Sequence, residues 1–419
     1  MKRVAVVGAG WAGLACAVEL AGAGVAVTLF EAARQAGGRA RRVDWQGIAI
    51  DNGQHLMIGA YRETLRLLER IGSSGRLDHQ PLCLRQPGFA LRLPRLPAPF
   101  HLLFGLATAR GLSRRDKLAA IRFARALRSG AVPAGQSVAE LLATHAQPEV
   151  LIERLWAPIC LAALNTPVAQ ASAEVFVNVL RDSLMGRRAD SDFLHARGDL
   201  GRLFVDPALA YIEAHGGSIQ LGHRVEQPAR AAGAWHINGE RYSDLVYAGH
   251  PAQLRATLPD LPTVAAVARL IDGYAWQPIL TTWLRFAASL DFPAPLLGLG
   301  PDQAPWAADR GDLGPGLVSL VVSAEGPHLA QPEAERLAGY LALLENALGP
   351  LPPLLDHLDI VEKRATYACV PNLPRPANAL GDGLHLAGDY TAGPYPATLE
   401  GAVRSGVQCA RSILASAPA

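Results

Sequence analysis

Val4-Ala5-Val6-Val7-Gly8-Ala9-Gly10-Trp11-Ala12-Gly13 is the stretch on which the reading of this chain turns. A short β-branched apolar run breaks into glycines at the G-x-G-x-x-G spacing. Small apolar residues then recur at helical spacing: Leu14, Ala17, Val18 and Ala21. Gly22 and Gly24 end that helix, Val25 to Phe30 reads as the next strand, and Glu31 stands at its tip. Strand, glycine turn, helix and strand make a βαβ unit with a dinucleotide fingerprint. Gly8 allows the sharp turn, Gly10 lets the backbone approach a pyrophosphate, and Gly13 lets helix and strand pack closely. Trp11 and Ala12, inside the same turn, join the candidate cofactor-binding residues. The N–H groups of the helix N-terminus favour an anion, and Glu31 is placed to accept hydrogen bonds from a ribose 2′-OH. An acid at that position argues against a 2′-phosphate.

Glu31 is followed by Ala32-Ala33-Arg34-Gln35-Ala36-Gly37-Gly38-Arg39, and Asp51-Asn52-Gly53-Gln54-His55 comes soon after. The E-x5-G-G-R and D-x-G-x-H patterns resemble the FAD-dependent amine oxidase and phytoene desaturase superfamily. That resemblance implies that Gly38 and Arg39 close over the FAD pyrophosphate. It also implies that the backbone of Gly53, Gln54 and His55 passes near the flavin.

Near the other end, Leu386-Ala387-Gly388-Asp389 precedes Pro396-Ala397-Thr398-Leu399-Glu400-Gly401. A buried strand ending in Gly388-Asp389 offers a carboxylate to a ribitol hydroxyl, and the following helix aims N–H groups at the ring's carbonyl edge. The resemblance places FAD binding on Asp389, with Thr398 and Leu399 at the flavin end, and presents the Val225 backbone to the adenine.

Working outward, 419 residues exceed one hydrophobic core and predict two or three lobes. The fold class is α/β: a Rossmann-like FAD-binding domain split in sequence, with a mixed β-sheet and helical substrate domain. Residues 1–75, 200–260 and 367–419 are assigned to the FAD-binding domain, 76–199 to the helical part of the substrate domain and 261–366 to its β-sheet part. Short strands are expected at Ser218 to Leu221, Arg224 to Glu226, Trp235 to Ile237 and Leu245 to Ala248. Pro81 to Pro99 is too Pro-punctuated for a long helix and reads as two short strands or loops, and Pro148 can start a helix that Pro158 interrupts.

A formal net charge of +2 excludes a nucleic-acid footprint over the chain as a whole. The composition is 50% hydrophobic, with a mean hydropathy of +0.15, which suits an apolar ligand or a membrane face. Cys16, Cys83, Cys160, Cys369 and Cys409 are scattered, odd in number and without C-x-x-C, so they read as reduced thiols of a cytoplasmic protein, and no metal site is implied. The apolar run after Met1-Lys2-Arg3 imitates a signal peptide, but Glu19 and the glycine spacing argue for a retained N-terminus. No stretch reaches the length of a spanning helix.

Arg110 to Arg128 holds seven basic residues against Asp116. Six of them share one arc of a helix, with Phe123 and Leu127 opposite, while Leu118 and Ile121 spoil the pattern. This is either a solvated face or a peripheral contact with an anionic membrane, on the inner face of the cell membrane.

Leu155 to Cys160, Ala163 to Pro167 and Asp199 to Pro207 resemble a narrower branch, the squalene-associated FAD-dependent desaturases regarded as hydroxysqualene dehydroxylases. The implied activity is reductive removal of an allylic hydroxyl from an apolar isoprenoid by reduced FAD, with His55 the candidate acid for the leaving oxygen. No second glycine fingerprint follows a strand, so no nicotinamide domain is encoded and an external electron donor is expected. Amine oxidases of the superfamily commonly keep a lysine at the flavin, yet the chain has only Lys2 and Lys117, both badly placed for that role, and Lys363, on an expected strand before the final motif with nothing in the sequence that brings it to the flavin. The alternatives are a carotenoid desaturase or isomerase, a flavin amine oxidase, and a non-enzymatic flavin-holding membrane adaptor.

Overall fold

The computed structural model describes residues 2–301 and 303–416. A six-stranded sheet runs in the order Ser218–Leu221, Ala26–Glu31, Arg3–Val7, Asp244–Tyr247, Leu384–Leu386 and Ala379–Gly381. The first five strands are parallel, with Val4 opposite both Val27 and Asp244, and the last is an antiparallel edge. Val4, Val6, Leu29 and Val246 are buried, as the near-continuous apolar strands of a parallel sheet require. The chain leaves Arg3–Val7 through the helix Trp11–Gly22 to reach Ala26–Glu31 on one side, and places Asp244–Tyr247 on the other. A reversal of strand order of this kind opens a crevice at the carboxyl ends of the strands.

The C-terminal helix Leu399–Ala415 lies against Trp11–Gly22, so closely that a Cβ on Gly406 would come 2.1 Å from the Ala12 carbonyl oxygen. Trp11 stacks on Phe204 at 4.4 Å between ring centroids.

A seven-stranded sheet follows the order Leu354–Tyr367, Trp276–Phe286, Leu317–Ser323, Trp306–Asp309, Leu297–Gly298, Cys83–Gln86 and Phe89–Arg92. Its last two strands come from residues 83–92, inside the Pro81 to Pro99 stretch expected to build two short strands or loops, although 76–199 as a whole is assigned to the helical part; Leu297 pairs with Arg85, 212 positions away. Residues 76–199 also supply Leu77–Gln80 and Phe193–Ala196, which pair with each other, the latter also with Met57–Ile58. The helices Phe100–Thr108, Arg114–Ser129, Val138–Thr144 and Ala173–Leu180 pack on a shared apolar core. Ser113 with Asp116, and Ser137 with Glu140, close capping boxes at two of their N-termini.

Two local expectations are corrected. Pro158 does not interrupt its helix: the ladder widens to a π segment over Ile152–Trp156 and continues as Ala157–Leu164, with Pro158 in the first turn of that segment. Arg224 to Glu226 is not a strand, because the neighbouring amides of Gly222 and His223 donate to the Ala33 and Glu31 carbonyls and tie the segment to the loop beyond Glu31. No helix among the described residues is long and apolar enough to cross a membrane.

Candidate cofactor and active site

The glycine turn sits at the crevice. Gly8 has φ +110, and a Cβ there would lie 2.7 Å from the Ala248 carbonyl; one on Gly13 would lie 1.9 Å from the Gly8 oxygen. Both glycines are therefore demanded by the protein's own packing. Gly10 is different: a Cβ would meet only the Gly38 Cα, at 3.9 Å. The space above it is left for something other than protein, beside a helix N-terminus that has no side-chain cap and no acid in its first turn. Uncapped N–H groups facing an open cradle suit a pyrophosphate.

Glu31 accepts from the Ala9 amide through Oε2 (2.8 Å) and from the Ala33 amide through Oε1 (2.9 Å). Its carboxylate is thus aimed back at the turn and has lone pairs left for a ribose. The Gly37 amide donates to the Ala9 carbonyl at 2.8 Å, which lays Gly37-Gly38 across the glycine turn. Arg39 reaches both carboxylate oxygens of Asp389 at 2.7 Å and the Ala365 carbonyl at 2.6 Å. Two expected cofactor residues 350 positions apart in sequence are in this way joined in one ion pair, with Nη2 alone facing both carboxylate oxygens and Nη1 held by the Ala365 carbonyl.

Gly388 donates to Ser405 Oγ at 2.9 Å, and Thr398 uses its hydroxyl to cap the last helix through the Gly401 amide at 3.1 Å, so Leu399 begins that helix. Val225 is buried. Gly53 approaches Thr281, whose hydroxyl faces the Gln54 amide at 3.4 Å.

Asp51 and Gln54 are held by a buried charge network that their sequence motif does not announce. Arg310 donates to Gln54 Oε1 at 2.8 Å, stands 3.6 Å from Asp51, and pairs with Asp312 at 3.0 Å. Burial raises the Asp51 carboxyl to about 6, against the pull of Arg310 and of the Leu200 amide. Asp312 goes the other way: despite burial, hydrogen bonds from His195 and Arg310 hold it well below the usual carboxylate range. Burial, reinforced by Arg39 and Arg310, lowers His55 to about 4 in spite of a hydrogen bond to the Arg39 backbone, and its Nε2 is enclosed without a partner.

Four residues near this crevice carry buried polar atoms with no partner: Trp11 Nε1, His55 Nε2, His250 Nε2 and Tyr390 Oη. His250 and Tyr390 were not singled out from sequence. Each stands just beyond the carboxyl end of a parallel strand, so the rule that ligands bind there would have found them. His250 is pushed down by burial and then by Arg39, and its ring lies 5.0 Å from Trp276. Tyr274 joins Trp276 (6.2 Å) to Tyr367 (5.6 Å), an aromatic wall built from the seven-stranded sheet and its approach. Lys2 is tied to the end of the last helix, Lys117 lies on Arg114–Ser129, and Lys363 is exposed on Leu354–Tyr367. None of the three lysines is in the crevice lining described above.

A glycine cradle at a helix N-terminus, a carboxylate at the tip of the second strand and an Arg–Asp pair at the mouth of a parallel sheet define a dinucleotide-binding fold, and the residues present fit FAD. The chain belongs to the flavin containing amine oxidoreductase family, whose model matches residues 11–414. It is 30% identical to a hydroxysqualene dehydroxylase of Rhodopseudomonas palustris, over 99% of both chains. It is 27% identical to a 15-cis-phytoene desaturase of Synechococcus elongatus, over 99% of this chain and 96% of that one. Among solved structures, an oxidoreductase from Methanosarcina mazei shares the fold with a TM-score of 0.73 at 18% identity, covering 99% of this chain and all of the other. The protein is an FAD-dependent oxidoreductase.

Proposed function

We propose that this enzyme removes the hydroxyl of hydroxysqualene reductively to give squalene, with electrons supplied by an external donor and with peripheral contact to an anionic membrane. The observation that carries the reading is the full-length likeness to a hydroxysqualene dehydroxylase. The absence of a lysine among the crevice residues supports it against an amine substrate. Bound and reduced, FAD supplies the hydride that makes the new C–H bond as the C–O bond breaks and the oxygen leaves as water with one added proton. The chain's own part is to hold the cofactor through the turn at Gly8, Gly10, Trp11, Ala12 and Gly13, through Glu31, and through Gly38, Arg39 and Asp389. Residues 1–75, 200–260 and 367–419 form the cofactor part in this reading, and 76–199 with 261–366 form the substrate part.

His55 is the proposed donor of the proton for the leaving oxygen, and burial lowers its pKa so that it gives that proton up readily. With a pKa of about 4, His55 is mainly neutral at pH 7, whereas the buried Asp51 carboxyl, at about 6, keeps its proton to higher pH than a free carboxylate.

The test is anaerobic mixing of photoreduced protein with hydroxysqualene. The oxidised flavin spectrum should return and squalene should appear by mass spectrometry. A second reading, carotenoid desaturation, draws on the likeness to a phytoene desaturase. In that case the oxidised enzyme would be bleached by a carotenoid precursor, and hydroxysqualene would leave the reduced enzyme unchanged.

A further inference from the structure

Between Asp78 and Glu140 the chain carries ten lysines and arginines and a single acid, Asp116. Asp116 is consumed in its capping box, where it accepts from the Ser113 amide at 2.9 Å. Among the described residues none of the ten basic side chains makes a salt bridge, although ion pairs are frequent elsewhere in the molecule; Arg42, Arg66 and Arg310 each hold two acids. Arg95, Arg115, Arg122 and Arg125 are exposed. The largest concentration of positive charge has therefore been left without intramolecular partners.

Apolar groups stand among these charges. Phe100 is 61% exposed, Leu118 57% and Phe104 54%; with Leu355 at 58% they are the four most exposed large apolar residues among the described residues. Leu118 spoils the basic arc when the sequence is read alone; on Arg114–Ser129 it lies at the centre of the stripe formed by Arg115, Arg122 and Arg125. Apart from His101 and Thr108, the helix Phe100–Thr108 is apolar. His101, Leu102, Gly105 and Leu106 are buried, while Phe100, Leu103 and Phe104 turn outward at the spacing that an amphipathic helix normally buries. With Leu96 and Pro97 they line an open recess of about 430 Å³. The two helices pack on each other and share one core, so both outer faces are turned to solvent.

Cations alone would suit any polyanion, and exposed phenylalanines alone would suit any apolar partner. Their interleaving on one pair of helices suits a surface that is anionic in its outer layer and hydrocarbon beneath. We propose that Phe100–Thr108 and Arg114–Ser129 seat the enzyme on an anionic phospholipid bilayer: Phe100 and Phe104 enter the acyl boundary, and Arg115, Arg122 and Arg125 engage headgroups. This names the surface and the wedge for the membrane contact proposed above.

The experiment floats full-length, FAD-loaded protein with vesicles of phosphatidylcholine containing about a third phosphatidylglycerol, and with phosphatidylcholine alone. Wild type should rise with the anionic vesicles at low salt. Arg115→Gln/Arg122→Gln/Arg125→Gln should lose partition roughly 100-fold, at about fivefold per charge. Phe100→Ser/Phe104→Ser should lose tenfold or more, whereas the Phe→Leu pair keeps binding. Unchanged FAD content and melting temperature confirm that each variant is folded, as expected for exposed positions. If the serine pair floats like wild type, the wedge is overturned. If wild type ignores vesicles but binds RNA or an acidic polypeptide through the three arginines, the bilayer is overturned. A turnover arm rests on the hydroxysqualene reading: the serine pair should be slowed on substrate carried in vesicles and should match wild type on substrate dispersed in detergent. No turnover in either form would sink that reading and leave the flotation result standing.

Discussion

The cofactor crevice and the α-helical face at residues 95–128 use opposite strategies. In the crevice, side chains are absent where it matters, and the backbone itself is the binding surface. On the helical face, side chains are present in excess and lack partners within the fold. The crevice tolerates almost no change, because Gly8 and Gly13 are hemmed in by main-chain atoms at 2.7 and 1.9 Å. The helical face is open to solvent, and most single changes there cost the fold little. A site for a phosphate is shaped by covalent geometry; a site for an extended apolar surface is shaped by composition.

Gly13→Val tests the first half of this contrast most severely. A side chain 1.9 Å from the Gly8 oxygen forces helix and strand apart, and we expect a loss beyond about 4 kcal/mol and no retained FAD. A soluble, yellow variant with the wild-type melting temperature would break the contrast.

Next in size is the pH dependence contributed by His55. Its folded pKa, about 4, lies below the value near 6.5 of the unfolded chain. Between those values the unfolded state binds the proton and the folded state does not, so stability is complete above about pH 6.5 and declines on acidification towards pH 4, by up to about 3 kcal/mol. Asp51 acts with the opposite sign: its folded pKa is raised, so ionisation above about pH 4 costs stability. Comparing wild type with His55→Phe isolates the histidine; thermal melts whose difference is flat from pH 4 to 7 would remove it from the buried site.

Glu31→Ala should weaken FAD binding by about 1.5 to 3 kcal/mol, the range for charge-assisted hydrogen bonds, with a smaller effect on folding. Equilibrium dialysis giving the wild-type affinity would show that Glu31 serves only the Ala9 and Ala33 amides. The smallest effect is expected deep under the helical face: Leu155→Met conserves volume in an apolar core and should cost less than about 1.5 kcal/mol. A loss of FAD in that variant would couple two regions that the contrast treats as separate.

Much of the crevice was legible in the chain, for a physical reason. Glycines at fixed spacing are the only residues that satisfy the turn, so Gly8, Gly10 and Gly13 announce it, and Glu31 follows at the tip of the next strand. The proline spacing from Pro81 to Pro99 announced short strands or loops, but not their place in the seven-stranded sheet, because pairing Arg85 with Leu297 is a matter of long-range register and leaves no local pattern. The same holds for Arg310, which anchors Gln54 from 256 positions away.

The sequence by itself determined the βαβ unit, the class of cofactor and the run of basic residues, since each depends on contacts within a few turns of chain. Only the tertiary structure decided that Arg39 meets Asp389, that Arg310 reaches Gln54, and that the arginines of Arg114–Ser129 have no acids opposite them among the described residues. Those outcomes depend on which distant segments a shared core draws together, and burial energy rewards many pairings nearly equally until the whole chain has packed.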